Sequence, residues 1–397
     1  MSTARLILSA KALRSFGDGF TALLLPVWLT GLGLSAFQVG VVATAAMLGS
    51  AALTLAVGLV GHRWSARLLL LGACGLMLGT GLAFSQTQAF WPLIVVAFVG
   101  TLNPSSGDVS VFVPLEQALL AQAGADADRT RRFALYGVIA AVGGALGSLS
   151  VGLVDPLAGA LVVSRGQVIQ GAFALYGLIG VAAFLIYRRL PAAPSGPHAP
   201  ATGLGPSRGT VYRLAALFSL DSFGGGFLIA SLLAFWLFHR FGMSLAAAGA
   251  FFFWTSLLSA ASQFAAVWLS KRIGLINTMV FTHIPASLCM VAAAFAPSLP
   301  VVLGLLAVRA LLSNMDVPAR TSYVMAVVTP AERAAAAGVT NVPRSLAAAL
   351  SPALAGWLYG AVLFPWPLVI GGALKITYDL LLLVQFQAVK PPEESSA

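Results

Sequence analysis

The hexapeptide SFGDGF at residues 15–20 returns later in the chain as SFGGGF at residues 222–227. Other polar landmarks keep the same order around both copies. Ser35 and Gly40 correspond to Ser244 and Gly249, Pro114 corresponds to Pro318, and Asp128-Arg129 corresponds to Glu332-Arg333. Chance similarity between apolar segments would not hold polar residues in register. We therefore predict an internal repeat of two related halves.

The composition indicates that both halves are embedded in a membrane. Of the 397 residues, 59% are hydrophobic and only 9% are charged, whereas a soluble domain carries about 25% charged residues. A helix needs ~20 apolar residues to cross a bilayer, and the sequence shows no alternating segments typical of barrel strands. Twelve apolar runs occur, at about residues 8–32, 38–60, 67–86, 89–115, 133–153, 168–187, 214–238, 244–268, 275–296, 300–325, 335–360 and 366–388.

A polar stretch divides the twelve runs into two sets of six. It contains PAAPSGPHAPATGLGPSRG at residues 191–209, a composition typical of a flexible linker. We therefore expect an all-α integral membrane protein with twelve transmembrane helices in two pseudo-symmetric six-helix halves. The halves are residues 1–189 and 213–397, and the linker is residues 190–212.

The basic residues are concentrated on one side of the predicted membrane protein. The loops on one side contain only Arg165 and Arg240. The loops on the other side contain Arg63, Arg67, Arg129, Arg131, Arg132, Arg188, Arg189, Arg208, Lys271, Arg272 and Arg333. Because cytoplasmic loops carry the excess of Lys and Arg, we expect both termini to be cytoplasmic and the protein to lie in the inner (plasma) membrane. The net charge of +10 then reflects topology and contact with anionic lipid, and no nucleic-acid partner is expected.

Two loops carry a family pattern. Residues 58–67, GLVGHRWSAR, agree with the pattern G-x-L-A-D-R-x-G-R-R/K at Gly58, Arg63 and Arg67, although His62 stands where the pattern has aspartate. TPAER at residues 329–333, followed by Gly338, is similar to the loop between the tenth and eleventh helices of the same family. With the six-plus-six organisation, these residues resemble the major facilitator superfamily over essentially the whole chain. The resemblance implies a secondary transporter in which two halves rock about a central site.

Alternating access requires contacts that close each side and break at modest cost. Arg63 and Arg67 are predicted to lie near Asp108, at the cytoplasmic end of the fourth helix, and an ion pair there would close the cytoplasmic face. Glu116 and Arg320 occupy corresponding places near the cytoplasmic ends of the fourth and tenth helices, so we assign them to the gate as well. The alternative is that these charges only anchor loops at the lipid headgroups.

Charges within the predicted helices are the candidates for the transport pathway, because each costs at least ~2.5–3.5 kcal/mol in the bilayer without a partner or a function. Arg14 and Asp18 lie one turn apart on one helix face, and we expect either a structural ion pair that partly neutralises itself or a contact for the substrate. Asp221 has no basic residue within four positions, so we expect Arg344 to pair with it, with Arg309 somewhat nearer the opposite face. A carboxylate whose cation partner moves away favours its protonated form, which makes Asp221 the expected proton carrier.

Two further groups are given structural roles. Lys375 and Asp379, four residues apart, are expected to form a self-satisfied pair, and His283 is expected to be a hydrogen-bonded structural histidine. The two cysteines, Cys74 and Cys289, form no metal-binding pattern. The sequence also contains no GxxxxGK[ST] or HExxH motif, so neither a cofactor nor an enzymatic activity is expected.

The sequence thus favours proton-coupled export of a small organic solute by a monomer. The fifth helix is rich in glycine but lacks the Gly-Pro pair of the family's drug antiporters, which weakens a drug/proton antiport interpretation. The alternative is a transporter of a small anion or metalloid oxyanion, with uptake rather than efflux. It rests on the slight positive excess of Arg14, Arg309, Arg344 and Lys375 over Asp18, Asp221 and Asp379.

The gate interpretation is testable at Asp108. Asp108→Asn removes the proposed partner of Arg63 and Arg67, so the inward-open form should become more populated. Labelling of engineered cysteines along the cytoplasmic face should then become faster. Labelling rates identical to those of the parent protein would contradict the gate.

Overall fold

The computed structural model describes residues 2–60, 63–105, 110–123, 129–191, 204–329, 332–361 and 364–387. Within these ranges the chain is helical and contains no strand, which confirms the predicted all-α class. The helices are α1 Thr3–Gly31, α2 Ala36–Val60, α3 Ala66–Gln86, α4 Phe90–Val99, α5 Phe112–Gln122, α6 Arg129–Ser150, α7 Val154–Leu161, α8 Arg165–Tyr187, α9 Arg208–Gly226, α10 Ala230–Phe241, α11 Leu245–Ile273, α12 Leu275–Phe295, α13 Leu299–Ser313, α14 Asp316–Val327, α15 Arg333–Ala361 and α16 Trp366–Phe386.

Nine helical segments in the described ranges are long and apolar enough to cross a bilayer. The 29-residue helices α1 and α15 are not among the nine, although at 1.5 Å per residue each exceeds the ~30 Å hydrocarbon core. The predicted run at 89–115 is not one helix, because the chain leaves the helix at Gly100 and α5 begins only at Phe112. The twelve-span count itself stays a prediction.

The chain divides into two compact units. Unit 1 is formed by Met1–His198 and Ile229–Ser256, and unit 2 by Ala199–Leu228 and Leu257–Ala397. The helix α10 and the start of α11 therefore pack with unit 1, although the internal repeat assigns them to the second half. The division into residues 1–189 and 213–397 remains a prediction from the sequence, and residues 192–203 of the predicted linker lie outside the described ranges.

Small residues allow the first helix of each repeat to approach a partner helix closely. In unit 1, a Cβ on Gly19 would overlap the carbonyl oxygen of Gly144, which joins α1 to α6. In unit 2, a Cβ on Gly226 would overlap the carbonyl oxygen of Ala348, which joins α9 to α15. Since lipid is as apolar as the helix surfaces, helices in a membrane associate through such close packing.

The end of the linker is tied to the start of α15 by Glu332. Its carboxylate accepts hydrogen bonds from the Ser207 hydroxyl at 2.7 Å, the Thr329 hydroxyl at 2.7 Å and the Gly205 N–H. The hydrogen bonds from Ser207 and Thr329 lower the pKa of Glu332 to about 2, because they stabilise the ionised form. A carboxyl group whose pKa is lower in the folded protein than in the unfolded chain stabilises the fold at pH values above the unfolded pKa. This stabilisation is lost only in strong acid, so the attachment of the linker to α15 persists throughout the physiological range.

The close packing of α1 on α6 makes Gly147 sensitive to substitution. A Cβ on Gly147 would overlap the Phe16 carbonyl oxygen, whereas nothing lies within 4 Å of a Cβ on Gly137 of the same helix. Gly147→Ala should therefore destabilise the protein by about 1–3 kcal/mol, whereas Gly137→Ala should be neutral or slightly stabilising. Thermal unfolding in detergent measures both, and equal melting temperatures would contradict the packing.

Candidate functional site: two buried charge networks

A buried ion pair joins α1 to α5 in unit 1. The Arg14 guanidinium contacts the Glu116 carboxylate, and their side chains are 3% and 0% exposed. Glu116 also accepts hydrogen bonds from the hydroxyls of Tyr136, at 2.6 Å, and Tyr187. Arg14 stacks over the Phe112 ring at 3.8 Å from the centroid. The Glu116 carboxylate thus has three hydrogen-bond donors. The Arg14 guanidinium has an acidic partner and an aromatic ring against its face, so both buried charges are compensated.

This arrangement differs from the sequence interpretation in two ways. Arg14 is engaged by Glu116 rather than by Asp18. Glu116, expected at a cytoplasmic gate, is enclosed within unit 1 instead. The reason is that α5 carries Glu116 to the face of α1, which the chain order alone does not reveal.

Asp18 is consequently left without its expected partner. Its side chain is half-buried on α1, and its carboxylate has no hydrogen bond or ion pair with any of the residues that the structure describes. Its backbone carbonyl accepts the Thr21 hydroxyl at 3.3 Å, a contact within the helix. Among the described residues, Arg14 and Lys11 act on Asp18 only at a distance, without an ion pair.

Unit 2 contains a larger buried network centred on Asp221 of α9. Lys375 of α16 places its Nζ 2.7 Å from Asp221 Oδ1, and Arg320 of α14 places a guanidinium nitrogen 3.3 Å from Asp221 Oδ2. Arg320 also pairs with Asp316, one turn earlier on α14. Asp221 is thus clamped between two cations, an environment that favours the ionised carboxylate.

These contacts replace three expectations. The cations against Asp221 are Lys375 and Arg320, and the Nε of Arg344 donates to the hydroxyl of the adjacent Ser222 at 2.9 Å. Arg320, expected at a gate, is buried within unit 2. Lys375 contacts Asp221 rather than Asp379. For Asp221 and Lys375 the reason is that helices distant in sequence supply the nearest opposite charge.

His283 of α12 also belongs to this network, which the sequence did not indicate. Its Nδ1 lies 3.0 Å from both oxygens of Asp379, and its Nε2 lies 3.7 Å from Asp221 Oδ1 and 3.5 Å from Lys375 Nζ. The hydrogen bonding predicted for this histidine is thereby confirmed, and its structural role stays a prediction. Its position between two acids had no signal in the sequence, because the three residues lie on three helices.

The two networks occupy related positions in the repeat with opposite charges. Arg14 precedes SFGDGF just as Asp221 precedes SFGGGF, and Glu116 follows Pro114 by two residues just as Arg320 follows Pro318. Each half thus joins its first helix to a later helix by one ion pair, with the acid and the base exchanged. This register was visible in the sequence and could have identified both pairs.

The remaining predicted residues in the described ranges form none of these hydrogen bonds or ion pairs, although Arg309 interacts electrostatically with Asp221. Arg309 is half-buried on α13, Arg63 is exposed, and Arg67 is half-buried in the first turn of α3. Asp108 lies outside the described residues. The part of the chain that the structure describes contains no group of three or more His, Cys, Asp or Glu side chains that could hold a metal ion.

A cavity of about 230 Å³ lies within unit 1, beside the C-terminal part of α1. Its lining includes Thr30, Arg165, Phe235 and His239. This volume is below the ~300–1,000 Å³ of typical small-molecule sites. We therefore locate the functional chemistry in the buried charges and not in this cavity.

Comparisons with known proteins agree with the helical architecture. A family model described as Major Facilitator Superfamily matches residues 7–238 and 214–397. An uncharacterized membrane protein of Saccharomyces cerevisiae is 24% identical over 97% of this chain and 94% of its own length.

Solved transporter structures share the fold at low sequence identity. The nucleoside transporter NupG has a TM-score of 0.73 and 14% identity, covering 98% of this chain and 100% of its own. A POT family peptide transporter has a TM-score of 0.71 and 13% identity, covering 98% and 97%. A bacterial homolog of the human lysosomal transporter Spinster has a TM-score of 0.69 and 15% identity, covering 96% and 93%.

The Arg14–Glu116 pair is testable by a double-mutant cycle. Glu116→Gln leaves Arg14 buried without its counter-charge and should cost about 3–5 kcal/mol. The double variant Arg14→Gln/Glu116→Gln should lose less stability than the sum of the two single variants, because it leaves no unpaired charge.

The exposed Arg165–Asp155 pair, with N–O distance 3.1 Å, is the matched control. Its cycle should give a coupling energy of only about 0–1 kcal/mol. Both cycles are measured by thermal unfolding in detergent. Additive effects at Arg14 and Glu116 would contradict a buried ion pair.

Proposed function

Because the chain belongs to the Major Facilitator Superfamily, we propose that it is a secondary transporter that couples the movement of a small organic solute to protons. The proton carrier in this proposal is Asp18 of α1. The observation that carries the proposal is that the Asp18 carboxylate forms no hydrogen bond or ion pair with a described residue, one turn from an arginine that Glu116 already neutralises.

Burial dictates the protonation of Asp18. An ionised carboxylate at membrane depth without a counter-charge costs at least ~2.5–3.5 kcal/mol, so Asp18 is neutral, and holds a proton, whenever water is excluded from it. Admission of water to the carboxyl group removes much of that cost, and the proton is released. Alternating access changes which side supplies that water. Asp18 can therefore take a proton from one side and release it to the other.

Asp221, the carrier expected from the sequence, is less suited to this role. Lys375 and Arg320 lie 2.7 and 3.3 Å from its two oxygens. Two adjacent cations hold the carboxylate in its ionised form. We therefore assign Asp221 to the clamp that joins α9, α14 and α16, and the proton to Asp18.

The alternative cargo, a small anion or metalloid oxyanion, loses support from the same contacts. It relied on free positive charge, and two of its four cations, Arg14 and Lys375, are paired with Glu116 and Asp221. Of the other two cations, Arg309 interacts electrostatically with Asp221 and Arg344 donates a hydrogen bond to Ser222. An organic solute that is neutral or carries one acidic group fits this charge balance better than a compact anion.

Proteoliposomes test the coupling. Vesicles containing a pH-sensitive dye are challenged with nucleosides, dipeptides, phosphate and arsenite, with and without an imposed pH gradient. Nucleosides and dipeptides are chosen because structural relatives are described as nucleoside and peptide transporters. We expect one organic class to move with protons, and the sign of the proton flux determines whether the transporter exports or takes up its cargo.

Asp18→Asn is the decisive variant. It should abolish gradient-driven accumulation while retaining exchange of labelled for unlabelled solute, because an amide carries no transferable proton. Asp155→Asn, which alters an acid 55% exposed in its side chain, is the matched control and should behave as the parent. Gradient-driven accumulation at the parent level in Asp18→Asn would contradict the assignment. Loss of accumulation in Asp221→Asn alone would transfer the carrier role to Asp221.

A further inference from the structure

His283 lies between two buried carboxylates from different helices. Its Nδ1 is 3.0 Å from both oxygens of Asp379 on α16, and its Nε2 is 3.7 Å from Oδ1 of Asp221 on α9. The His283 and Asp379 side chains are 3% and 0% exposed. A neutral imidazole has one N–H and can serve one of these acids, whereas an imidazolium has two and can serve both.

The carboxylates around the ring favour a second proton on it, whereas the Lys375 ammonium, 3.5 Å from Nε2, opposes it. Two cations, Arg320 and Lys375, are in ion-pair contact with the network, against three carboxylates, Asp221, Asp316 and Asp379. Within the described residues, the side chain hydrogen bonded to Asp379 is that of His283. An ionised Asp379 at this depth requires a positive partner, and the imidazolium of His283 supplies it.

Other ionisable groups of unit 2 surround the same pair, and Lys375 and Tyr378 interact electrostatically with Asp379. Arg309 of α13 interacts electrostatically with Asp221, and Arg344 of α15 donates to the hydroxyl of Ser222. Tyr378 of α16 packs edge-on against the His283 ring, with centroids 6.0 Å apart. His283 is thus the hydrogen-bond partner of Asp379 among the described residues, and Lys375 adds a longer-range attraction.

Lys375 connects this pair to Asp221. Its Nζ lies 2.7 Å from Asp221 Oδ1 and 3.5 Å from His283 Nε2. When Nε2 carries a proton it cannot accept a hydrogen bond, so Lys375 donates to Asp221. When that proton leaves, the Nε2 lone pair becomes an acceptor within reach of Lys375.

We propose that His283 and Asp379 form a proton-binding site in unit 2, in which the bound proton makes His283 an imidazolium that bridges Asp379 and Asp221. Loss of this proton leaves one N–H for the two acids and diverts Lys375 toward the ring. The proton therefore determines how firmly α16 holds Asp221 and, with it, α9. This site is separate from Asp18 of unit 1, and it binds its proton whatever the cargo or the coupling.

Nitrogen-15 NMR of labelled histidine tests the site on the purified full chain, without cargo or gradient. The chain has four histidines, and replacement of His62, His198 and His239 by glutamine leaves His283 as the only signal. At pH 7 both ring nitrogens of His283 should carry a proton and show imidazolium shifts. In Asp379→Asn at the same pH, the ring should be neutral, with one protonated nitrogen.

Asp155→Asn, made in the same background, is the matched control and should leave the His283 signal unchanged. A neutral His283 ring at pH 7 with Asp379 intact would overturn the proposal, as would an imidazolium signal that persists unchanged in Asp379→Asn. If Asp379→Asn does not fold, the signal of the chain with native Asp379 decides the question by itself. Because this readout involves no transport, it stands or falls independently of Asp18.

Discussion

The need to neutralise charge inside a low-dielectric membrane governs the arrangement of the buried side chains. A single charge on a membrane helix is costly, and a partner on another helix reduces that cost while joining the two helices. Arg14 and Glu116 join α1 to α5 in this way, and Asp221 joins α9 to α14 and α16 through Arg320 and Lys375. Close packing at glycines such as Gly19 also holds the first helix of each repeat against a partner helix.

Which charge is paired determines which charge is free to act. Because Arg14 pairs with Glu116, Asp18 forms no ion pair with a described residue and becomes the proposed proton carrier. Because two cations hold Asp221, that residue becomes part of a clamp. One unexpected contact in each unit therefore reverses the roles that the linear spacing suggested, and it directs functional tests to α1 before α9.

The repeat preserves the positions of the first-helix ion pairs but not their signs. Arg14 and Asp221 are equivalent in register, as are Glu116 and Arg320. Exchange of both charges keeps a pair neutral, so an ion pair can be inverted without loss of its structural role. Unit 2 adds His283, Asp379 and Lys375 around its pair, and this addition gives it the proposed proton site.

The sequence by itself determined the helical membrane class, the two-fold repeat and the family, because apolar run length and the register of polar landmarks are properties of the linear chain. It also identified Arg14, Asp18 and Asp221 as the charges that need an explanation. Only the tertiary structure decided their partners. Local spacing favoured Arg14 with Asp18 and Lys375 with Asp379, but helices brought together by packing offered Glu116, Asp221 and His283 at shorter range. Electrostatic energy depends on distance in space, and separation along the chain does not specify it.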